Sequence, residues 1–517
     1  MQKHVVISGF GVIGIEVLDQ LIKKNKKKKL KISIIEKDFS NFPGGIAYSE
    51  KNSKYGFFNN PLRISSSEFK DWVQREKNQI RLIDYFQFNK DLKLEKWLKN
   101  NKLKTRKKFK NSKEIYLPRV AYSIFLKEKF KNILNILKKK KFIKVVYYEN
   151  ELIKVKKINK NYVCYIKDNL KNKLFIEKNF TFIKNSKNKK KLNYLISDSL
   201  ILGHGILPPS NINKNKFFND KNYIHDFYAS GGTEFLMTKL NKKINSNKKK
   251  IIIVFIGNKA GLLETMQEFE NLNQEVLKKI NIISISSSSL TLEKAQLSNR
   301  FKSYKFVFLT DKNIKRITKA KKILTLIKSE FLNGKKSGFN KYDIWTLILQ
   351  KKILDDCYSS LGLKEKKVYN DEIFSQLRNI TRYTYPETVD AKIRLERTNV
   401  LNNIKDKVIQ LRKSSQNKIL VKTLNSGQLL ADIVINVSGP VSLFNDKNEV
   451  PYLNSLKKIC KNYNQRGFIS DQFNKIDEEL YLPGTLSSNF NPERKTIIKS
   501  IVDNCKVTAN NLIRNLI

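Results

Sequence analysis

The chain opens with HVVISGFGVIGIEVL, an apolar strand-like run that passes through Gly9, Gly11 and Gly14 into an apolar helix-like run. The run ISIIE then ends on Glu36, 36 − 14 = 22 positions after Gly14. A GxGxxG set between strand and helix, with an acid at that distance, is the pattern of a βαβ unit that cradles a dinucleotide. Gly9 permits the tight turn, Gly11 lets backbone approach a diphosphate, and Gly14 lets the helix pack closely on the strand. The helix N-terminus offers N–H groups and a partial positive charge to phosphates. Glu36 is placed to accept hydrogen bonds from a ribose diol, with Lys37 beside it. A purely structural Gly-rich turn is the alternative, and the acid at the right distance weighs against it.

At 517 residues the chain can hold two to four domains. Its net charge of +55 would ordinarily point to nucleic acid or an anionic membrane. The lysines, however, are spread along the whole sequence together with abundant Asn and Ile, all encoded by A/T-rich codons. Drift in composition accounts for that spread, so no specific nucleic-acid partner is predicted, although polyanions will bind nonspecifically. Cys164, Cys357, Cys460 and Cys505 lie far apart and form no CxxC, which reads as reduced thiols in a cytoplasmic protein. His4, His204 and His225 have no metal-ligand spacing, so no metal is expected. No apolar run reaches the ~20 residues a membrane span needs.

Downstream, KKKIIIVFIGNKAGLLETMQEF repeats the opening pattern, with an apolar strand, Gly257, Gly261 and an apolar helix. The spacing is looser than GxGxxG, and strand–turn–helix packing alone would also produce it. The stretch SDSLILGHGILPPS ends a strand on Gly203-His204-Gly205. LLADIVINVSGPVS follows Asp432 with a strand ending at Ser438-Gly439-Pro440. Two such strands flanking the second unit are the order expected if it is inserted into the first. LYLPGTLSSNF supplies a closing strand with Gly484, before a final helix. The predicted fold is α/β, with two interleaved Rossmann-like dinucleotide-binding domains. Residues 1–210 form the first part of one, and 211–430 the other, with a mainly helical insertion at about 290–400. Residues 431–517 bring the return strand and last helix of the first. The Lys/Asn-rich pieces Asn89–Asn111, Phe180–Asn193 and Asn241–Lys250 read as exposed loops or hairpin tips.

Several elements together resemble the FAD/NAD(P)-binding proteins that include flavin-dependent urate hydroxylases and aspartate N-monooxygenases, distant relatives of lysine and ornithine N-hydroxylases. After the second strand the chain reads FPGGIAYSEKNSKYGFFNNPLRISSSEFKDWV. The resemblance implies that Gly45, Ala47 and Tyr48 pass close to a flavin, with Asn59, Asn60 and Pro61 near its ring and Trp72 on a short helix. The Pro-Arg element in IYLPRVAYSIFLKEKF would bring Arg119 to the cofactor, and Arg382 and Pro386 match an Arg-rich stretch before the return strand. Gly203-His204 stands where relatives carry a smaller pair. Ser286 to Ser289 stand where NADPH-binding relatives often carry an Arg; the nearest here is Arg300, which leaves open that the second unit has lost its cofactor.

The resemblance implies FAD and, with less support in these residues, NAD(P)H. The implied activity is that of an FAD-dependent oxidoreductase, an NAD(P)H-using monooxygenase that hydroxylates a small polar substrate with O₂ through a flavin hydroperoxide. No Ser-His-Asp set or paired carboxylates are spaced for other catalysis, and no catalytic residue is singled out. His204 reads as a packing group or a proton relay, Arg119 as an anion contact or a salt-bridge partner, and Trp72 as a core anchor or a flavin stacker. A noncatalytic FAD-binding partner subunit and a flavoprotein acting on nucleic acid are the alternative functions.

Overall fold

The computed structural model describes residues 2–49, 52, 56–88, 92–100, 115–168, 176–177, 180–183, 193–213, 218–246, 250–288, 292–440, 450–464, 467–488 and 498–515. The opening motif forms β1 (Lys3–Ser8), α1 (Val12–Lys24) and β2 (Leu30–Glu36). After a helical excursion, α2 (Arg119–Lys139) leads into β3 (Ile143–Ile158), and β4 (Ser199–Leu202) returns to the centre. β1 lies between β2 and β4, parallel to both, and β3 continues the parallel order beyond β2. The late strand Leu480–Tyr481 adds to the other side of β4, so the C-terminal part of the chain completes the first sheet. Val5, Val6 and Ile7 are wholly buried because both faces of this sheet are covered. The last helix, Ile498–Asn515, packs against α1.

The second unit comprises β5 (Ile251–Ile256), α3 (Ala260–Glu270), β6 (Ile280–Ser286), β7 (Leu401–Lys405) and β8 (Ile433–Asn436). Its strand order is β7-β6-β5-β8 followed by Tyr223–Ile224, every pairing parallel. One expectation is corrected here. β8 was expected to open the closing part of the first unit, but it sits in the second sheet beside β5. Its apolar residues fill the slot between β5 and Tyr223–Ile224, and the return to the first sheet comes only with the strands near 475–481.

The insertion is helical, from Asp311–Lys315 through Ala320–Lys336, Lys341–Gln350 and Ile353–Ser359 to Phe374–Ile380. It builds its own apolar core, including Ile323, Ile327, Ile344, Ile348 and Cys357. The helix Pro386–Arg397 then packs onto α3. All three expected loops hold regular structure in part. Leu92–Asn100 is a helix whose Trp97 is buried, its indole N–H donating to Tyr116 O at 2.7 Å. Phe180–Ile183 is a strand beside β3, and 241–246 finish the helix Gly232–Ser246. Residues 89–91, 101–114, 184–192 and 247–249 lie outside the described residues.

Candidate functional site

Three segments converge at the mouth of the first unit. Gly9 turns the chain out of β1 with φ of +92°, and its N–H donates to Ile35 O at 2.8 Å. A Cβ on Gly9 would lie 2.9 Å from the carbonyl of Gly203, and one on Gly203 2.7 Å from Gly9 O. Gly14 faces Gly9 O at the same close range, 2.5 Å from where its Cβ would stand. Gly484 would press a Cβ to 2.5 Å from Ile13 Cδ1. Side chains are thus excluded from the rim where β1, β4 and the closing segment meet. Gly11 is the N-cap of α1 and supplies no side-chain cap, and no acid stands in the helix's first turn. An N-terminus of that kind presents backbone donors and positive potential, which suits an anion. Gly11 also bridges to Gly44, and Gly45 packs on it at the head of the short helix Gly45–Tyr48.

Glu36 ends β2 with its carboxylate turned to this mouth. It accepts from the N–H of Phe10 at 2.7 Å and of Lys37 at 3.0 Å. Burial raises its pKa, and the backbone donors only partly offset that. Each carboxylate oxygen has capacity for a further donor such as a sugar hydroxyl. Lys37 itself is turned away, its ammonium paired with Glu151 at 2.7 Å. His204 stacks on Tyr452, with ring centroids 4.3 Å apart, and its Nε2 meets Ser8 Oγ at 3.2 Å. Its Nδ1 is buried without a partner, and burial pushes its pKa down to about 4, so the ring is neutral.

The two segments expected around a cofactor ring are bonded to each other. Phe58 N–H donates to Leu117 O at 3.0 Å, Leu62 N–H to Ile115 O at 2.8 Å, and Arg119 N–H to Gly56 O at 2.8 Å. Asn59, Asn60 and Pro61 therefore lie along the entry to α2. Asn59 accepts from Thr384 Oγ1 at 3.0 Å, which ties it to the second unit. Tyr48 packs against Tyr122 with ring centroids 4.8 Å apart and planes tilted by 58°, and burial pushes its pKa up to about 12. Ala47 shares its short helix.

Two assignments are corrected. Trp72 is buried against Phe69 and Phe125, with its indole N–H on Glu128 at 3.0 Å, so it anchors the core and does not face the rim. Arg119 does not offer its charge to a bound anion. Its guanidinium is closed on Glu264 of α3, and its Nε donates to Phe57 O at 3.1 Å.

The second unit repeats the first at its own mouth. Gly257 has φ of +117°, and a Cβ there would lie 2.6 Å from Val437 O; one on Gly261 would meet the Val437 side chain at 2.6 Å. Lys259 caps α3 without a side-chain bond to it, and no acid stands in the first turn. Burial lowers the Lys259 pKa, with Arg382 and then Arg378 adding to it. Positive charge from Arg378 and Arg382, about 120 residues on in sequence, thus acts on Lys259. Arg300, the nearest Arg in sequence, is committed elsewhere, donating to Gly338 O at 3.0 Å and lying over Phe339. Asn258 Oδ1 is buried at this mouth without a partner, while its Nδ2 donates to Ser288 O at 2.7 Å. Gly439, with φ of +106° and open space at its Cα, follows β8 and so belongs to this second mouth. Pro386 starts its helix at the first position, just after Arg382.

Glu264, Tyr228, Asn52 and Lys259 were not singled out from sequence. The one available signal was an acid set in the apolar helix AGLLETMQEF, opposite in sign to the Arg in RVAYSIF. Among the described residues, the carboxylates of Glu16, Asp19 and Glu68 form the one group close enough to hold a metal ion. The ammonium of Lys129 sits among them instead, at 2.8, 3.4 and 2.6 Å.

Residues 6–174 match the family model described as FAD-NAD(P)-binding. No curated protein sequence matches the chain. Among solved structures, the chain is similar to the ornithine N-hydroxylase of Kutzneria sp. 744, in a complex with reduced FAD, NADP⁺ and L-ornithine. The TM-score is 0.55 at 11% identity, covering 100% of both chains. The L-lysine 6-monooxygenase of Pseudomonas syringae gives 0.54 at 11% identity, covering 99% of each chain. The FAD-bound cadaverine monooxygenase of Erwinia amylovora gives 0.52 at 10% identity, covering 98% of this chain and 94% of the other. At such identities the likeness establishes a shared fold across the whole chain.

Proposed function

We propose that this protein is an FAD-dependent oxidoreductase, an NAD(P)H-using monooxygenase that hydroxylates a small polar substrate with O₂. The observation that carries the reading is the side-chain-free rim formed by Gly9, Gly203 and Gly484 over the uncapped N-terminus of α1, with Glu36 at its edge. A cradle that a single Cβ would fill, beside orphan helix donors, fits a diphosphate. In this reading the α1 N-terminus holds the FAD diphosphate, Glu36 accepts from the ribose, and Gly11, Gly44 and Gly45 keep backbone close to it. When bound, the flavin supplies two-electron redox chemistry and activation of O₂.

The second mouth holds the nicotinamide dinucleotide, and Lys259, Arg378 and Arg382 oppose its phosphates. Arg forks suit a phosphate dianion, which favours NADPH over NADH. The domains follow: 1–210 with the closing strands and last helix as the FAD unit, and the region between as the nicotinamide unit with its helical insertion. The four cysteines are buried and form no disulfide with one another, which suits a cytoplasmic protein. The similar structures act on ornithine, lysine and cadaverine, which makes an aliphatic amine the substrate class to try first.

The test is O₂ consumption by FAD-loaded protein with NADPH or NADH, with and without such amines. The expected result is oxidation faster with NADPH and a hydroxylated amine as product. FAD-loaded protein that consumes neither nicotinamide contradicts the proposal.

A further inference from the structure

We infer that Arg119 and Glu264 are positioning residues: with Tyr228, their ion pair sets the orientation of the second nucleotide unit on the first. The inference rests on the two-dinucleotide reading above, and the pair itself is a feature of this chain's own packing. Arg119 is the first residue of α2 in the first unit, and Glu264 lies in α3 of the second. Both guanidinium nitrogens face the carboxylate, Nη1 donating to Oε2 at 3.2 Å and Nη2 donating to Oε1. The side chains are 12% and 10% exposed. Tyr228 O–H donates to the same Glu264 Oε2 at 3.0 Å. Asn52 Nδ2 in turn donates to Tyr228 O at 2.8 Å and to Ile46 O at 2.7 Å. Gly56 makes room for the arginine, since a Cβ there would stand 3.1 Å from Arg119 Cδ.

The network therefore joins α3, just beyond the second mouth, to Ile46, Asn52 and Phe57 of the first unit. A buried ion pair contributes little net stability relative to apolar packing, because desolvation offsets the attraction. What a bidentate pair supplies is direction, two parallel bonds that allow one relative orientation. Hydride transfer, in which the nicotinamide is oxidised and the flavin reduced, tolerates little misplacement of donor and acceptor. A clamp that fixes one unit on the other at this point governs that distance without touching either cofactor.

The test compares FAD-loaded wild type with E264Q, R119Q, the double variant R119Q/E264Q, and the milder Y228F. One readout is hydrogen exchange of peptides covering Gly56–Asn60 and His225–Gly232, and the other is the limiting rate of anaerobic flavin bleaching at saturating NADPH. The expected result is faster exchange and bleaching slowed about tenfold or more in each charge variant. FAD content should be unchanged, Y228F intermediate, and the double variant no slower than the slower single. That nonadditivity is the signature of one shared interaction. Faster exchange with wild-type bleaching would reduce the pair to a structural contact and overturn the role, as would unchanged exchange and rate. If wild type loaded with FAD bleaches with neither NADPH nor NADH, the proposed function falls; unchanged exchange in E264Q would then also overturn the clamp, and faster exchange would leave it standing as a domain contact.

Discussion

His204 illustrates how burial decides the chemistry of one residue. Its ring is stacked on Tyr452 and has a single partner, Ser8, so the neutral form is favoured and the pKa falls from 6.5 to about 4. The unfolded chain therefore takes up a proton before the folded one does as pH drops. Stability linked to this residue is complete above about pH 6.5 and declines between 6.5 and 4, by on the order of 3 kcal/mol in total. Replacing it in H204Q should flatten that part of the profile. The check is the unfolding free energy of wild type and H204Q in urea at pH 7 and pH 5; equal pH slopes would contradict the assignment. The sequence offered this histidine only as a packing group or a proton relay, and a neutral ring at all ordinary pH speaks for packing. Arg119 shows the opposite difficulty. Its position at a helix start was legible, but its partner lies 145 residues away, and no local pattern announces a long-range pair.

At the level of elements, what was legible followed from periodicity and punctuation. β1, α1 and β2 were readable because apolar runs and glycines alternate in the order a βαβ unit requires, and the central strands of both sheets are parallel as the continuous apolar strands implied. β8 was misplaced for a physical reason: an apolar strand ending in small residues looks the same whichever sheet receives it. Leu92–Asn100 was hidden because its three lysines blur the apolar pattern, while Leu94 and Trp97 are buried in the core. The contact of α1 with α2 was also unread. Lys129 of α2 is buried among Glu16 and Asp19 of α1 and Glu68, and its pKa is raised by those three carboxylates against the effect of burial. K129M should leave the buried Glu16 without its cation and Asp19 with Lys23 alone, and cost about 3–5 kcal/mol at neutral pH. The loss should shrink as acid protonates Glu16, whose pKa burial already raises. Urea unfolding at pH 7 and pH 5 measures both, and a cost below about 1 kcal/mol would mean the cluster relaxes into solvent.

For the whole molecule, the net charge of +55 has little bearing on the fold. Lys129 and Lys392 are the lysines buried among the described residues, and each is paired with acid. The architecture rests instead on two similar mouths, one rimmed by Gly9, Gly203 and Gly484, the other by Gly257 and Gly261. The interleaved chain makes the two units inseparable, and the Arg119–Glu264 clamp sets their angle. The central claim is that the first mouth holds FAD, and titration of purified protein with FAD, followed by its absorbance and fluorescence, tests it most directly. The account predicts one FAD per chain with a resolved flavin spectrum. It also predicts that G9A, whose added Cβ would strike Gly203 in a left-handed backbone conformation, binds at least about tenfold more weakly. Folded wild-type protein that binds no FAD, or G9A that binds as tightly as wild type, would contradict it.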